Sequence, residues 1–179
     1  MMGRTHEAAT LTAWFGAVAI GQHVGLHPQI LPVIGGAFFA YTTARVPDID
    51  NPDSRVGHAF PRTAKALYRL SGHRGITHWA LTAVAVGVAT GLLPYLVSPR
   101  MWWVGVSVGG SWLLHILCDC LTWDGVVMFA PFSDTRVRPH YRRRIECGGK
   151  VENLVLFPVF TIAAIATTAV TILTAINII

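Results

Sequence analysis

The chain reads as an all-α integral membrane protein: a bundle of about five hydrophobic helices, four to five of them spanning, with two polar connections on one side. Three observations predict this. Of 179 residues, 53% are hydrophobic and only 13% charged, with a mean hydropathy of +0.49, more apolar than the roughly 45–50% of an ordinary soluble domain. The apolar residues gather into stretches, several of which reach the roughly 17–25 residues that cross a bilayer. The basic residues are segregated: of the 14 Lys and Arg, all but Arg100 are Arg4, the six from Arg45 to Arg74 and the six from Arg136 to Lys150. The length suits one domain, a single helical membrane domain over residues 1–179.

In chain order, the first apolar stretch runs from Ala8 to Gln22. Arg4 ahead of it resembles the start of a signal peptide, but Gln22-His23-Val24-Gly25 lacks a small-x-small cleavage site, so an uncleaved first membrane helix is expected. Gln29–Val46 follows, rich in Gly and Thr, and the two short stretches are expected to form a hairpin turning at His27-Pro28. The connection from Pro47 to Gly75 includes a short amphipathic helix over Arg62–Leu70. Ile76–Val97 and Met101–Leu121 are long enough to span; Thr122 to Asn153 is a polar connection, and Leu154–Ile176 is the last helix. Small residues at Gly35-Gly36 and Gly109-Gly110 permit close helix packing. Cys118 and Cys120 lie in an apolar run as Cys-Asp-Cys and read as small buried residues, since zinc thiolates favour wider spacing.

Alternating spans put the N-terminus and both long connections on one face, which the positive-inside rule assigns to the cytoplasm. A net charge of +5 is met by anionic lipid head groups. No aromatic platform for stacking bases is evident, so no specific nucleic acid is expected.

An apolar chain places His and Asp at helix ends at a cost of a few kcal/mol each, roughly 2.5–3.5 for Asp on insertion scales, so such residues usually serve a function. The sharpest motif is His115-x-x-x-Asp119: four apart on a helix, both side chains lie on one face and reach one ion. Thr122 continues that face and Asp124 follows as the chain leaves the helix. His73-Arg-Gly-Ile-Thr-His78 introduces the third spanning stretch, with imidazoles that suit zinc, manganese or iron and with Arg74 as a fork of donors for phosphate oxygens. Pro47-Asp48-Ile-Asp50 closes the second stretch. Of these two carboxylates in an extended segment, one is expected to ligate while the other orients a histidine. His6 opens the first helix, and Glu152 opens the last as a ligand, a base or a dipole partner. Singly, each has a plainer reading: a polar packing pair, a solvated histidine, an Asp-rich turn. Jointly, separate helix ends deliver His or Asp to one face, as a site within a helical bundle requires.

With Thr5-His6, Pro47-Asp48-x-Asp50, His73-Arg-Gly-x-Thr-His78, His115-x-x-x-Asp119-x-x-Thr122, Gly125 and Pro131-Phe132-Ser133, the chain resembles the YdjM-like family of bacterial inner-membrane proteins from end to end. The resemblance implies a helical protein of the bacterial inner membrane, a metal-dependent hydrolase with its site at His6, Asp48, Asp50, His73, His78, His115 and Asp119; the charge segregation puts the N-terminus and that site on the cytoplasmic side. More distantly, an N-terminal His and a helical His-x-x-x-Asp are similar to zinc-dependent phospholipase C and the P1-type nucleases. Those enzymes carry additional His ligands, and this chain has no second His-x-x-x-Asp.

The expected site therefore has His6, Asp48, His78, His115 and Asp119 as metal ligands for one or two divalent ions, zinc or manganese. Asp50, His73 and Arg74 assist catalysis, while Thr122, Asp124 and Glu152 support the site or add a ligand. A metal-activated water would cleave a phosphoester of a lipid or lipid-linked substrate. Arg136, Arg138, Arg142, Arg143 and Arg144 would meet anionic head groups of membrane lipids or serve as topological anchors. The alternative is a non-catalytic metal-binding membrane protein with a structural, sensing or regulatory role; oligomerisation is open. A transporter would place polar groups at the bilayer midplane rather than at one interface.

Overall fold

The computed structural model describes residues 1–178. Seven α-helices form: α1 Gly3–His23, α2 Ile30–Thr43, α3 Arg55–Ala59, α4 Pro61–Ser71, α5 Ala80–Val97, α6 Trp103–Cys120 and α7 Phe157–Ile178, with no strand among the described residues. Short 3₁₀ turns at Val46–Asp50 and Ile76–His78 lead out of α2 and into α5, and a wide π turn, Glu152–Leu156, opens α7.

Three segments are long and apolar enough to cross a membrane: Ala80–Val97, Pro99–Cys120 and Glu152–Ile176. The other two hydrophobic helices differ from them. The 14 residues of α2 span about 21 Å at 1.5 Å per residue, short of the roughly 30 Å hydrocarbon core. α1 starts at Gly3 rather than Ala8, so Arg4, His6 and Glu7 belong to its first turns. The two form the hairpin expected around His27-Pro28.

α6 is the hub. It packs on α5, α2 and α1, and α1 packs in turn on α2 and α7. At the α5–α6 crossing the side chains are absent: a Cβ on Gly91 would sit 2.8 Å from Gly105 Cα, and one on Gly109 would sit 2.9 Å from Gly87 Cα. Without a hydrophobic drive between helices in lipid, such close backbone approach and interhelical hydrogen bonds hold the bundle. Ser111 Oγ donates to Ala40 O (2.7 Å), Trp14 Nε1 to Val33 O (2.9 Å) and Thr12 Oγ1 to Phe160 O (2.8 Å). Large apolar side chains such as Leu93, Leu96 and Ile162 face outward, as a lipid solvent allows.

The connections are not loose. Residues 121–151 fold back on the bundle, with Val126 and Met128 buried against Trp112, Ile116 and Cys120. Met128 O accepts from Ala80 N (2.8 Å) at the start of α5. α4 seats Ala64 inward and shows Arg62, Lys65, Tyr68 and Leu70 outward, an amphipathic helix suited to a membrane surface. Cys118 and Cys120 are buried and unpaired.

Replacing Gly105 with Leu should cost about 1–3 kcal/mol by forcing α5 and α6 apart. Gly110→Ala, where an added Cβ meets nothing within 4 Å, should be nearly neutral. Thermal unfolding in detergent, followed by circular dichroism, compares the two.

Candidate metal centre

The alternating helices bring the starts of α1, α5 and α7 and the ends of α2 and α6 to one end of the bundle. There Asp48, His78, His115 and Asp119 each turn one donor atom inward, all within 4.8 Å of one another. Each donor reaches this point by its own local route. His115 and Asp119 lie one turn apart on the buried face of α6. The 3₁₀ turn after α2, begun at Val46-Pro47, swings Asp48 in from one side. The 3₁₀ turn Ile76–His78 swings in His78, and extended Trp79 then separates it from α5, so this helix begins at Ala80 rather than Ile76.

The tautomers follow from the partners. His115 Nδ1 lies 2.7 Å from Ala44 O, which only accepts, so Nδ1 carries a proton and Nε2 is the nitrogen left to bind an ion. Thr77 Oγ1 spends its proton on Asp50 Oδ2. His78 Nδ1, 2.9 Å from that hydroxyl and 3.2 Å from Asp50 Oδ2, is therefore the donor, and its Nε2 is again free. Both Nε2 atoms are buried with no hydrogen-bond partner. They stand 3.5 Å (His115) and 3.9 Å (His78) from Asp48 Oδ1, and His78 Nε2 is 3.7 Å from Asp119 Oδ2. These gaps are too long for hydrogen bonds. They are close to the separation of about 3.4 Å between ligands on a tetrahedral ion with bonds of about 2.1 Å. Orphaned buried nitrogens cost about 1–3 kcal/mol each; a cation between them removes that cost. The donor set, two imidazoles and two carboxylates, could hold a divalent ion.

Asp50 supports the donors from behind. Fully buried, it accepts from His73 Nδ1 (3.0 Å), from Arg74 N (3.0 Å) and from Thr77, and faces His78 Nδ1. Burial works to raise its carboxyl, but the hydrogen bonds from His73, His78 and Thr77 win and hold it well below the usual carboxylate range. Burial lowers His78 below its ordinary value and outweighs the pull of Asp50, keeping the imidazole neutral as a ligand must be.

The other expected site residues take distinct places. His6 stacks on His115 (3.7 Å between centroids); its Nε2 faces Met1 O (3.2 Å) and Asp119 Oδ1 (3.3 Å), outside the four-donor group. The Met1 amino group also pairs with Asp119. Arg74 is buried, with Nε 2.8 Å from Asp119 Oδ2 and a hydrogen bond of 2.7 Å to Thr122 Oγ1. Its φ of 61° is left-handed, a strained setting for a non-glycine residue of the kind held at functional sites. Thr122 donates to Asp119 O (2.7 Å). Asp124 is exposed, 3.6 Å from Arg74.

Glu152 is buried away from the donors and accepts from Met2 N (2.6 Å) and Gly148 N (2.7 Å), tying α7 to the chain start. Arg136 and Arg138 border a cavity with His73, Arg74 and Asp124. Arg142, Arg143 and Arg144 stay in the outer loop, where Arg142 binds Tyr141 Oη (3.0 Å) and Arg144 binds Pro139 O (3.2 Å). Thr77 and the Ala44 carbonyl orient the two histidines, and neither was singled out from the sequence. Thr77's position beside His78 was the available signal; a backbone carbonyl leaves none.

A helical membrane bundle with a His/Asp cluster at one end defines a membrane protein whose buried donors could hold a metal ion. The family model described as YdjM inner membrane protein matches residues 1–178. The chain belongs to that family. It is 39% identical over 98 residues to "Inner membrane protein YdjM" of Escherichia coli (strain K12) and to its namesake in Shigella flexneri, covering 51% of this chain and 47% of each relative. These matches thus span about half the length of those relatives. "Uncharacterized protein YvsG" of Bacillus subtilis (strain 168) is 27% identical over 157 residues, 87% of this chain and 88% of that one. No solved structure matches.

His115→Ala should abolish ion retention, read as metal per chain by mass spectrometry. Asp50→Asn, which keeps all four donors, should weaken metal affinity about 10–100-fold, measured by competition with a chromogenic chelator, with helicity unchanged.

Proposed function

We propose that this chain is a membrane-embedded, metal-dependent hydrolase that cleaves a phosphoester of a lipid or lipid-linked substrate at the cytoplasmic face. One observation carries the reading: two buried, partnerless histidine nitrogens converge with two carboxylates at a single end of an apolar bundle. One zinc or manganese ion is the simplest occupant. When bound, such an ion supplies water activation and charge neutralisation at phosphorus.

In this reading Asp48, His78, His115 and Asp119 hold the ion, with His6 stacked behind His115. Asp50 orients His78. Arg74 positions Asp119, and Thr122 anchors Arg74. His73, one-third exposed and hydrogen-bonded to Asp50, joins the centre to the cavity lined by Arg74 and Asp124. Segregation of the basic residues supports a cytoplasmic site, and in this reading Arg136 and Arg138, which border the cavity beside His73 and Arg74, meet anionic head groups. A non-catalytic metal site is the second reading, favoured by the near-complete burial of His78, His115 and Asp119.

Protein purified in detergent without chelator, then resupplied with divalent ions, should hold about one ion per chain. The folded His115→Ala plus Asp119→Ala variant should hold none. Wild type should release phosphate or head group from lipid phosphoesters, stop on chelation and recover with zinc or manganese. A wild type that takes up no metal would sink both metal readings; bound metal without turnover across phospholipid and lipid-phosphate substrates would leave the non-catalytic one.

A further inference from the structure

We propose that the cavity between the start of α1 and the Val46–Asp50 turn takes the phosphate-bearing end of the substrate, with Arg45 and Arg55 as its binding residues. This rests on the hydrolase reading above and names where the anion sits. The cavity measures about 420 Å³, and Arg4, Arg45, Asp48, Asn51, Ser54 and Arg55 are among its walls. Asp48 is also a donor of the metal cluster, and its side chain is 17% exposed against 0–1% for His78, His115 and Asp119. A ligand approaching the donors from solvent therefore comes past Asp48.

The second cavity near the site, about 290 Å³ between His73, Arg74, Asp124, Arg136 and Arg138, has no cluster donor in its wall. Arg74, already engaged by Asp119 and Thr122, stands between that cavity and the donors.

The charge of the first cavity selects its ligand. Three guanidinium groups face one carboxylate, and that carboxylate is assigned to a cation. Arg4 is spent on Asn153 (2.7 Å) and on the Phe157 ring. Arg45 gives one nitrogen to Glu7, while its Nε is buried without a partner. It lies across the first turn of α1 where Gly3 leaves room: a Cβ on Gly3 would sit 2.8 Å from that Nε. Arg55 is exposed and takes part in no ion pair among the described residues.

Arg55 is held near Asp48 by Ser54, whose Oγ donates to Asp48 O (2.7 Å) and accepts from Gly57 N (2.9 Å). The free fork of Arg55 and the unpaired Nε of Arg45, beside a metal donor, match the oxygens of a phosphate group, which guanidinium groups bind by charge-assisted hydrogen bonds. A neutral ester or amide has no use for them.

The test reads binding without turnover. Zinc-loaded protein in detergent is titrated with inorganic phosphate by calorimetry, and in nanodiscs it is probed for retention of phosphatidate over phosphatidylcholine. Arg55→Gln and, separately, Arg45→Gln should weaken phosphate or phosphatidate binding about tenfold or more with metal content unchanged. If Arg45→Gln fails to fold, Arg55→Gln carries the test, since its exposed side chain makes no hydrogen bond or ion pair among the described residues. Arg62→Gln plus Lys65→Gln on α4 removes two charges away from the cavity and should leave phosphate affinity as in wild type.

A response confined to phosphatidate assigns the site to a lipid head group, and one to both ligands assigns it to phosphate as such. Wild type that binds neither ligand overturns the proposal. So does unchanged affinity in Arg55→Gln, or an equal loss in the α4 pair. Metal-dependent hydrolysis that persists unchanged in Arg55→Gln would leave the hydrolase reading standing and this pocket refuted. Arg55-dependent phosphate binding without hydrolysis of any lipid phosphoester would do the reverse.

Discussion

The carboxylate of Asp119 is where separate parts of the chain meet. It sits almost wholly buried near the end of α6, and the Met1 amino group, His6 Nε2 at 3.3 Å and Arg74 Nε at 2.8 Å surround it. Burying a charge in an apolar bundle costs several kcal/mol unless opposite charges and donors surround it, and removing one partner leaves the rest uncompensated. The start of α1, the segment before α5 and the end of α6 are thus held at one level. Asp48 and His78 need that common level to come near His115.

The remainder of the bundle is built on a different economy. Lipid offers no hydrophobic penalty to Leu93 or Ile162 on the outside, so cohesion comes from backbone proximity at Gly87, Gly91, Gly105 and Gly109 and from hydroxyl or indole hydrogen bonds across helices. The polar centre is left to one interface, beside the amphipathic α4 and the returning segment 121–151.

Much of the centre was legible before folding. The four-residue spacing of His115 and Asp119 survives as one helix face because α-helix geometry is local. Asp48 and Asp50 do divide, but because Val46–Asp50 is a 3₁₀ turn and not the extended segment expected, in which residues two apart would share a side: Asp48 turns to the donors and Asp50 to His73, His78 and Thr77. The helical pattern was less reliable at its margins. α1 reaches back to Gly3 because Arg4, His6 and Glu7 find partners in the bundle, which hydropathy does not register. α2 is too short to cross the hydrocarbon core upright, and the polar-looking segment after α6 supplies buried Val126 and Met128. Glu152 reads from sequence like another ligand, yet its two oxygens are taken by Met2 and Gly148 backbone amides.

By itself the sequence determined a helical membrane protein of the YdjM family, the segregation of its basic residues, and a short roster of His and Asp at helix ends. Composition and helical spacing carry that information, because both act within a few residues along the chain. Only the tertiary structure decided which members of the roster converge, which histidine nitrogen is free, and that Asp48 is the donor open to a cavity. Those outcomes depend on packing between segments far apart in sequence. The Ala44 carbonyl that sets the His115 tautomer, and the Gly3 that makes room for Arg45, have no signature outside the fold.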